Sequence, residues 1–292
     1  MKEFKGMWAD KPAQMQLYYL AIMIVAGLSI FSTLGSFIAM GIYDVDFFNN
    51  KDLFNDPNTP GLKSALQLMH IFSVIGTFFI PAWLFNFTTQ KESLTNVFGG
   101  KPKSLYLLLA VAIIVGAAPI AGYLKAWNNT WALPEALSFI TNWLEQLEQN
   151  SLNIQGILLN METSSDLWMN IFLMAVLPAI GEELLFRGML QGHFTKWFNN
   201  PHKAIWLTAF LFAVFHQQFH GVLPLFLLGG LLGYLKHWSK NLWPAVLAHF
   251  TNNAILVYLA YQGVEANPSA LYTITCTIVL ISAGFVFYSK RK

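Results

Sequence analysis

Charged side chains are scarce in this sequence. Asp, Glu, Lys and Arg make up 11% of its 292 residues, whereas a soluble domain averages about 25%. Hydrophobic residues make up 55% of the chain, so there are too few charges to cover a surface that faces water. The composition therefore excludes an ordinary soluble domain and predicts that lipid covers much of the protein. The net charge of +2 is nearly neutral, and we expect no nucleic-acid partner.

Cysteine is also nearly absent. The chain has one cysteine, Cys276, within an apolar run. One thiol cannot form an internal disulfide, so no redox compartment follows from it. We expect Cys276 to be a small buried or lipid-facing apolar residue.

Long apolar runs are abundant in this sequence. A helix needs about 20 apolar residues to cross roughly 30 Å of hydrocarbon. Eight segments are candidates: 16–43, 65–88, 104–124, 167–191, 204–219, 222–236, 241–261 and 269–288. The fifth and sixth are shorter, which predicts either a tight hairpin around Phe219–Pro224 or segments that cross only part of the bilayer. The expected fold is all-α, a polytopic transmembrane helical bundle of about eight spans.

The distribution of lysine and arginine predicts the orientation of these spans. If the N-terminus is cytoplasmic, 13 of the 17 basic residues fall on the cytoplasmic side. Only Lys51, Lys63 and Lys125 fall outside, and Arg187 lies within a span. Because basic residues favour the cytoplasmic side, both termini are expected there.

Two regions follow from this pattern: an N-terminal region of three spans at 1–165 and a C-terminal region of five spans at 166–292. The first ends in a polar segment from Lys125 to Asp166. Four apolar residues recur in it at helical spacing: Leu137, Ile140, Leu144 and Leu147. This pattern predicts an external amphipathic helix. It lies either on the membrane surface or against the bundle.

Span four contains three charged residues that an apolar helix does not normally hold. Glu183 and Arg187 are four residues apart, with the glutamate on the N-terminal side, which favours an ion pair. Glu182 points about 100° away from Glu183, so it has no partner within its own helix. Each such charge costs roughly 2.5–3.5 kcal/mol at a helix centre, and we therefore expect a functional site here.

Spans five and seven carry polar residues at a similar depth. His216 lies on span five, and His249 and Asn253 share one face of span seven. At about 1.5 Å per residue, Glu182, His216 and Asn253 lie about 20 Å from the nearest cytoplasmic lysine of their spans, and His249 about 14 Å. The sequence thus predicts that these four side chains converge.

Three motifs in this order resemble those of the CPBP family of intramembrane peptidases, which includes the type II CAAX prenyl proteases. The resemblance covers residues 166–262. The motifs are EExxxR, FxxxH and HxxxN, formed here by Glu182, Glu183 and Arg187, by Phe212 and His216, and by His249 and Asn253. The resemblance implies an intramembrane endopeptidase that hydrolyses a peptide bond of a membrane-associated or lipidated protein or peptide. Its bacterial relatives imply a location in the bacterial inner membrane.

The resemblance also implies roles for these residues. Glu182 and His216 would activate water, His249 and Asn253 would stabilise the oxyanion, and Glu183, Arg187 and Phe212 would support them. If zinc or another divalent metal is present, Glu182, His216 and His249 would be its ligands. Because a zinc-bound Glu182 could not also act as the base, and because asparagine is a poor zinc ligand, we favour a metal-independent mechanism.

Two other functions are open. A proton-coupled transporter also needs membrane-embedded Glu, His and Arg, although the first three spans hold no matching set and no inverted repeat is evident. A non-catalytic membrane scaffold or immunity partner could keep the same fold. A zinc protease of the HExxH type is disfavoured because Gln217 stands where that motif has its glutamate.

Overall fold

The computed structural model describes residues 4–47, 53–55, 59–90, 94–264 and 270–290. These residues form helices and no strand, which confirms the all-α prediction. The helices of ten or more residues are α1 (Ala13–Tyr43), α2 (Leu62–Thr89), α3 (Ser104–Asn128), α4 (Ser138–Leu159), α5 (Ser164–Phe198), α6 (Pro201–Phe215), α7 (Val222–Ser239), α8 (Trp243–Tyr261) and α9 (Ala270–Ser289). Shorter helical turns lie at Leu53–Asn55, Thr95–Phe98, Glu135–Leu137 and Phe219–Gly221.

Each of the eight predicted spans coincides with a helix, but not all eight helices have the length and composition of a span. Six helical segments in the described part of the chain are long and apolar enough to cross a membrane: Ala13–Tyr43, Leu62–Thr89, Ser104–Asn128, Ser164–Phe198, Phe219–Ser239 and Leu271–Ser289. Helix α6 has 15 residues and rises only about 22 Å. Helix α8 is less apolar because it carries His249, Thr251, Asn252 and Asn253. The chain is an integral membrane protein, and eight crossings stay a prediction.

Wide π-helical turns interrupt the two helices that border the predicted site. Ile75–Phe79 precedes Pro81 in α2, and Ile171–Val176 precedes Pro178 in α5. Proline has no N–H to give to the preceding turn, so a regular α-helical ladder cannot continue through it. A third wide turn, Leu184–Leu190, begins directly after Glu183 and contains Arg187. Such turns occur often at functional sites.

Helix α5 lies at the centre of the bundle. Its residues Leu185 and Phe186 share one buried apolar cluster with Phe85 of α2 and Phe212 of α6. A Cβ atom at Gly181 would come within 2.9 Å of a ring carbon of Phe79. Helix α2 therefore packs closely on α5 beside the paired glutamates, and a larger residue at Gly181 would separate the two helices.

Helix α7 packs closely against α6 through its glycines. A Cβ atom at Gly229 would lie 2.9 Å from the Cα atom of Ala209. The absence of a side chain at this glycine allows the two backbones to approach each other. The hairpin predicted between the fifth and sixth segments is present, with its turn at Phe219–Gly221.

Helix α4 lies in the segment for which the sequence predicts an external amphipathic helix. Its residues Ile157 and Leu158 are buried in the apolar cluster that also contains Leu62 of α2. Nearer its beginning, Phe139 and Trp143 are exposed. One end of α4 therefore packs on the bundle, while its other end presents aromatic rings, and contact of those rings with the membrane surface stays a prediction.

The last helix, α9, packs along α3. Cys276 is buried there, as expected, and the Tyr106 hydroxyl donates a hydrogen bond to the Lys290 carbonyl. This contact joins the two regions that the sequence divides at residue 165, and the division itself stays a prediction.

Candidate active site

The centre of the site is a fully buried ion pair within α5. The Arg187 Nη1 group donates to Glu183 Oε1 at 2.8 Å, and both side chains are buried. Arg187 Nη2 also donates to the Gly229 carbonyl of α7 at 2.9 Å. Its guanidinium carbon lies 4.5 Å from the ring centre of Phe212. The predicted i,i+4 pair is therefore formed, and Arg187 links α5 to both α6 and α7.

His249 connects this ion pair to Glu182. Its Nδ1 atom lies 2.9 Å from Glu183 Oε1, the same oxygen that accepts from Arg187. A carboxylate oxygen accepts, so the Nδ1–H group donates and the Nε2 atom of the neutral ring keeps its lone pair. That Nε2 atom lies 4.0 Å from Glu182 Oε2. Glu183 thus fixes the orientation of an imidazole whose other nitrogen faces Glu182.

His216 approaches the same carboxylate from α6. Its Nδ1 atom lies 2.8 Å from the Phe212 carbonyl, which can only accept, so Nε2 is again the nitrogen with the free lone pair. Nε2 lies 3.7 Å from Glu182 Oε2. The side chains of His216 and Glu182 are 24% and 11% exposed, so this part of the site is accessible, whereas the Glu183–Arg187 pair is not.

Three acceptor atoms therefore converge on one small volume. Glu182 Oε2 is buried and has no hydrogen-bond partner among the described residues. The imidazole distances of 3.7 and 4.0 Å exceed the usual range of about 2.7–3.2 Å for a direct bond. A water molecule, which has two O–H donors, would satisfy such a set, and so would a cation.

The same atoms allow a test of whether a metal would fit. Two imidazole nitrogens and one carboxylate oxygen have the chemistry of a zinc site with three protein ligands. Each Nδ1 atom also donates to an acceptor behind it, as metal-bound histidines commonly do. Nevertheless, the part of the chain that the structure describes holds no group of three His, Cys, Asp or Glu side chains arranged to hold a metal ion. The residue types therefore fit a metal, although the described side chains do not form a ready-made metal site.

Asn253 has a different neighbour from the other predicted site residues. Its side-chain amide donates to the Met174 carbonyl of α5 at 3.1 Å. Pro178 lies four residues after Met174 and has no N–H to give to that carbonyl, so Asn253 supplies the missing donor. The adjacent Leu173 carbonyl accepts from His70 Nε2 at 3.0 Å. No described contact joins Asn253 to Glu182, and its predicted role at the oxyanion stays a hypothesis.

The loop after His216 is held by residues that the sequence did not single out. Asn128, at the end of α3, is fully buried. Its amide donates to the Phe219 carbonyl at 3.0 Å, and its carbonyl accepts from the Leu223 N–H at 3.0 Å. Glu148 of α4 accepts from the backbone N–H of His220 at 3.2 Å. These contacts keep the end of α6 in place, and with it His216.

Comparisons with known proteins agree with the motifs. Residues 164–255 match the family model described as type II CAAX prenyl endopeptidase Rce1-like. An uncharacterized protein of Bacillus subtilis (strain 168), YpbD, is 31% identical over 90 residues, which are 30% of this chain and 43% of that protein. The chain thus spans less than half the length of this curated relative. No solved structure matches the chain. The matched segment contains all seven predicted site residues, and the resemblance inferred from the motifs is confirmed.

Proposed function

We propose that this protein is an intramembrane endopeptidase that hydrolyses a peptide bond of a membrane-associated or lipidated protein or peptide. One observation carries the proposal. The Glu182 Oε2 atom is buried without a hydrogen-bond partner among the described residues and faces two imidazole Nε2 atoms, at 3.7 and 4.0 Å. A carboxylate in this position can take a proton from water, and the family match makes a peptide bond the expected target.

The proposed reaction begins with a water molecule held between Glu182 and His216. Glu182 takes one proton of the water as its oxygen attacks the carbonyl carbon of the substrate. The C=O bond becomes a single bond, and its oxygen carries the negative charge of a tetrahedral intermediate. His216 orients the water through Nε2, because the Phe212 carbonyl holds its Nδ1–H at 2.8 Å.

The second half of the reaction breaks the C–N bond. Glu182 returns its proton to the leaving nitrogen, so the products are a carboxylic acid and an amine. His249 donates to the oxyanion from Nε2 when that nitrogen carries a proton, and the Glu183 carboxylate on Nδ1, at 2.9 Å, holds the ring in place as the acid does in a catalytic triad. The second amide hydrogen of Asn253 is proposed as a further donor. If a divalent metal binds, Glu182, His216 and His249 would hold it, and it would polarise the substrate carbonyl.

The surroundings of His216 support a substrate that comes from the membrane. Val214 and Phe215, directly before it in α6, are exposed apolar residues. Lipid is the natural neighbour of such side chains in an integral membrane protein. A lipidated or membrane-associated peptide could therefore approach His216 along this face.

Cleavage by purified protein tests the proposal. Wild type and Glu182→Gln are compared in liposomes on a panel of lipidated and membrane-associated peptides, with the products identified by mass spectrometry. Glutamine has nearly the same shape but cannot take a proton, so we expect cleavage to fall by about 10²–10⁴-fold. Glu145→Gln, an exposed glutamate of α4, is the matched control and should keep full activity. Equal cleavage by wild type and Glu182→Gln would exclude the mechanism, and a folded wild type that cleaves no peptide would favour the non-catalytic alternative.

A further inference from the structure

A second polar feature lies away from Glu182. A cavity of about 440 Å³ opens where α2, α5 and α7 approach their C-terminal ends. Lys196, Lys236 and Lys240 line it, and no carboxylate of a described residue does. The cavity therefore has a strong excess of positive charge, which the peptidase mechanism does not use.

The three ammonium groups have no anionic partner within the part of the chain that the structure describes. None of them forms an ion pair with a described residue. Lys236 is also half-buried, in the last turn of the apolar helix α7. A cation withdrawn from water needs a compensating charge, so an anion in this cavity would stabilise it.

The helix ends supply only part of this compensation. Each C-terminal end carries about half a unit of negative charge. Three such ends border the cavity, so they offset about half of the three ammonium charges. A net positive charge is left for a ligand.

The wall beside the lysines is ordered and leaves room for a ligand. His193 is buried, its Nδ1–H donates to the Met189 carbonyl at 2.8 Å, and its Nε2 lies 3.4 Å from the Gln90 amide nitrogen. Gly192 also lines the cavity, and a Cβ atom there would meet nothing within 4 Å. A side chain added at Gly192 would therefore occupy the cavity without disturbing the wall.

Two tryptophans indicate the depth of this cavity in the membrane. Trp197 follows Lys196, Trp243 begins α8 shortly after Lys240, and both indoles are exposed. Exposed tryptophans of membrane proteins concentrate at the level of the lipid headgroups. The two tryptophans therefore indicate that the ammonium groups of the cavity are at the level of the lipid phosphates.

We propose that this cavity binds the phosphate group of an anionic phospholipid. Basic pockets between membrane helices are suited to such headgroups, and the cavity combines three unpaired ammonium groups, a location at headgroup depth and open volume. Free phosphate has the same chemistry, so the test separates the two sources. The inference does not depend on the peptidase reaction.

Thermal unfolding of the full chain in a neutral detergent measures this binding. The midpoint is followed while short-chain phosphatidylglycerol, short-chain phosphatidylcholine or inorganic phosphate is added to separate samples. We expect phosphatidylglycerol alone to raise the midpoint. Lys196→Gln and Lys236→Gln should each weaken the apparent affinity by about fivefold, which corresponds to ~1 kcal/mol.

Two controls isolate the cavity. Lys203→Gln removes an exposed lysine near the same end of the bundle that does not line the cavity, and it should bind as wild type does. Gly192→Leu keeps every lysine but fills the space, so it should lose the response, whereas Gly122→Leu, equally free of neighbours, should keep it. Because the glycine variants remove no charge, they test the site even if a lysine variant fails to fold.

Three results would overturn the proposal. Equal responses to phosphatidylglycerol and phosphatidylcholine would show that the net charge of the lipid does not matter. An equal loss in Lys203→Gln and Lys236→Gln would show that the effect comes from general surface charge. An equal response to inorganic phosphate would identify free phosphate, and not lipid, as the ligand.

Discussion

The buried pair of Arg187 and Glu183 gives the sharpest prediction about stability. Arg187→Met keeps much of the side-chain volume but removes both hydrogen bonds, to Glu183 Oε1 at 2.8 Å and to the Gly229 carbonyl at 2.9 Å. Glu183 would then be a fully buried carboxylate whose remaining described partner is His249. Removal of one partner from a buried pair costs about 3–5 kcal/mol. We therefore expect the free energy of unfolding to fall by roughly that amount.

A double-mutant cycle separates the ion pair from the packing of Arg187 against Phe212. Glu183→Gln alone leaves the guanidinium without its carboxylate and should also be strongly destabilising. The double variant removes both charges of this pair and strands neither, so its loss of stability should be smaller than the sum of the single losses, by about 1–3 kcal/mol. The chain contains a matched surface pair, Lys63 and Asp166, with the same separation of 2.8 Å but side chains 28% and 26% exposed. Lys63→Met should cost only about 0–1 kcal/mol.

The assay is reversible denaturation in detergent, followed by helix content and by tryptophan fluorescence. Reversibility is checked first, because the free energies of the cycle have meaning only for an equilibrium. Additive losses in the cycle would refute the ion pair as the source of the effect. A loss in Arg187→Met as small as that in Lys63→Met would show that the carboxylate of Glu183 is not charged in the folded protein.

The remaining predictions concern topology, metal and helix α5. A reporter that is active only outside the membrane, fused after Lys292, should be inactive because 13 of 17 basic residues favour cytoplasmic termini; reporter activity would contradict the predicted orientation. Elemental analysis should find no stoichiometric zinc in active protein, and a strong chelator should leave the activity unchanged. Activity that is lost on chelation and restored by zinc would reassign Glu182 as a ligand. Asn253→Ala should lower the free energy of unfolding by about 1–3 kcal/mol, because it leaves the Met174 carbonyl without its side-chain donor. Thr251→Ala, which removes a side-chain donor that bonds only within α8, is the control for this loss, and equal effects of the two variants would show that the contact with Met174 adds nothing.

The sequence was sufficient for the parts of the site that depend on helix geometry alone. The Glu183–Arg187 pair follows from a spacing of four residues, and the approach of His216 to Glu182 follows from their similar depth in neighbouring spans. Both contacts are present, at 2.8 and 3.7 Å. The number of membrane crossings was harder to predict. Helix α8 carries polar residues of the candidate site, and these lower its hydropathy below that of an ordinary span.

Contacts that depend on how helices cross could not be predicted. The sequence placed His249 near the site, but only the crossing of α5 and α8 determines that its Nδ1 faces Glu183 and not Glu182. Asn128 was missed for a similar reason. An asparagine at the end of a helix is common in loops, and nothing local indicates that it holds a backbone segment 91 residues away.

Asn253 shows most clearly why a motif alone does not define a role. Its spacing from His249 and its depth suggested a catalytic donor, yet its amide donates to the Met174 carbonyl. That carbonyl needs an outside donor because Pro178 cannot supply one, and Pro178 begins the turn that leads to Glu182. The asparagine therefore connects α8 to the wide turn that precedes Pro178 in the helix that carries Glu182. Support of that turn and the proposed donation to an oxyanion are compatible, since the amide has two hydrogens, but the two roles constrain the residue separately. A substitution at this position must consequently be judged by stability and by turnover together, because a loss of activity alone would not distinguish a displaced Glu182 from a missing hydrogen bond to the intermediate.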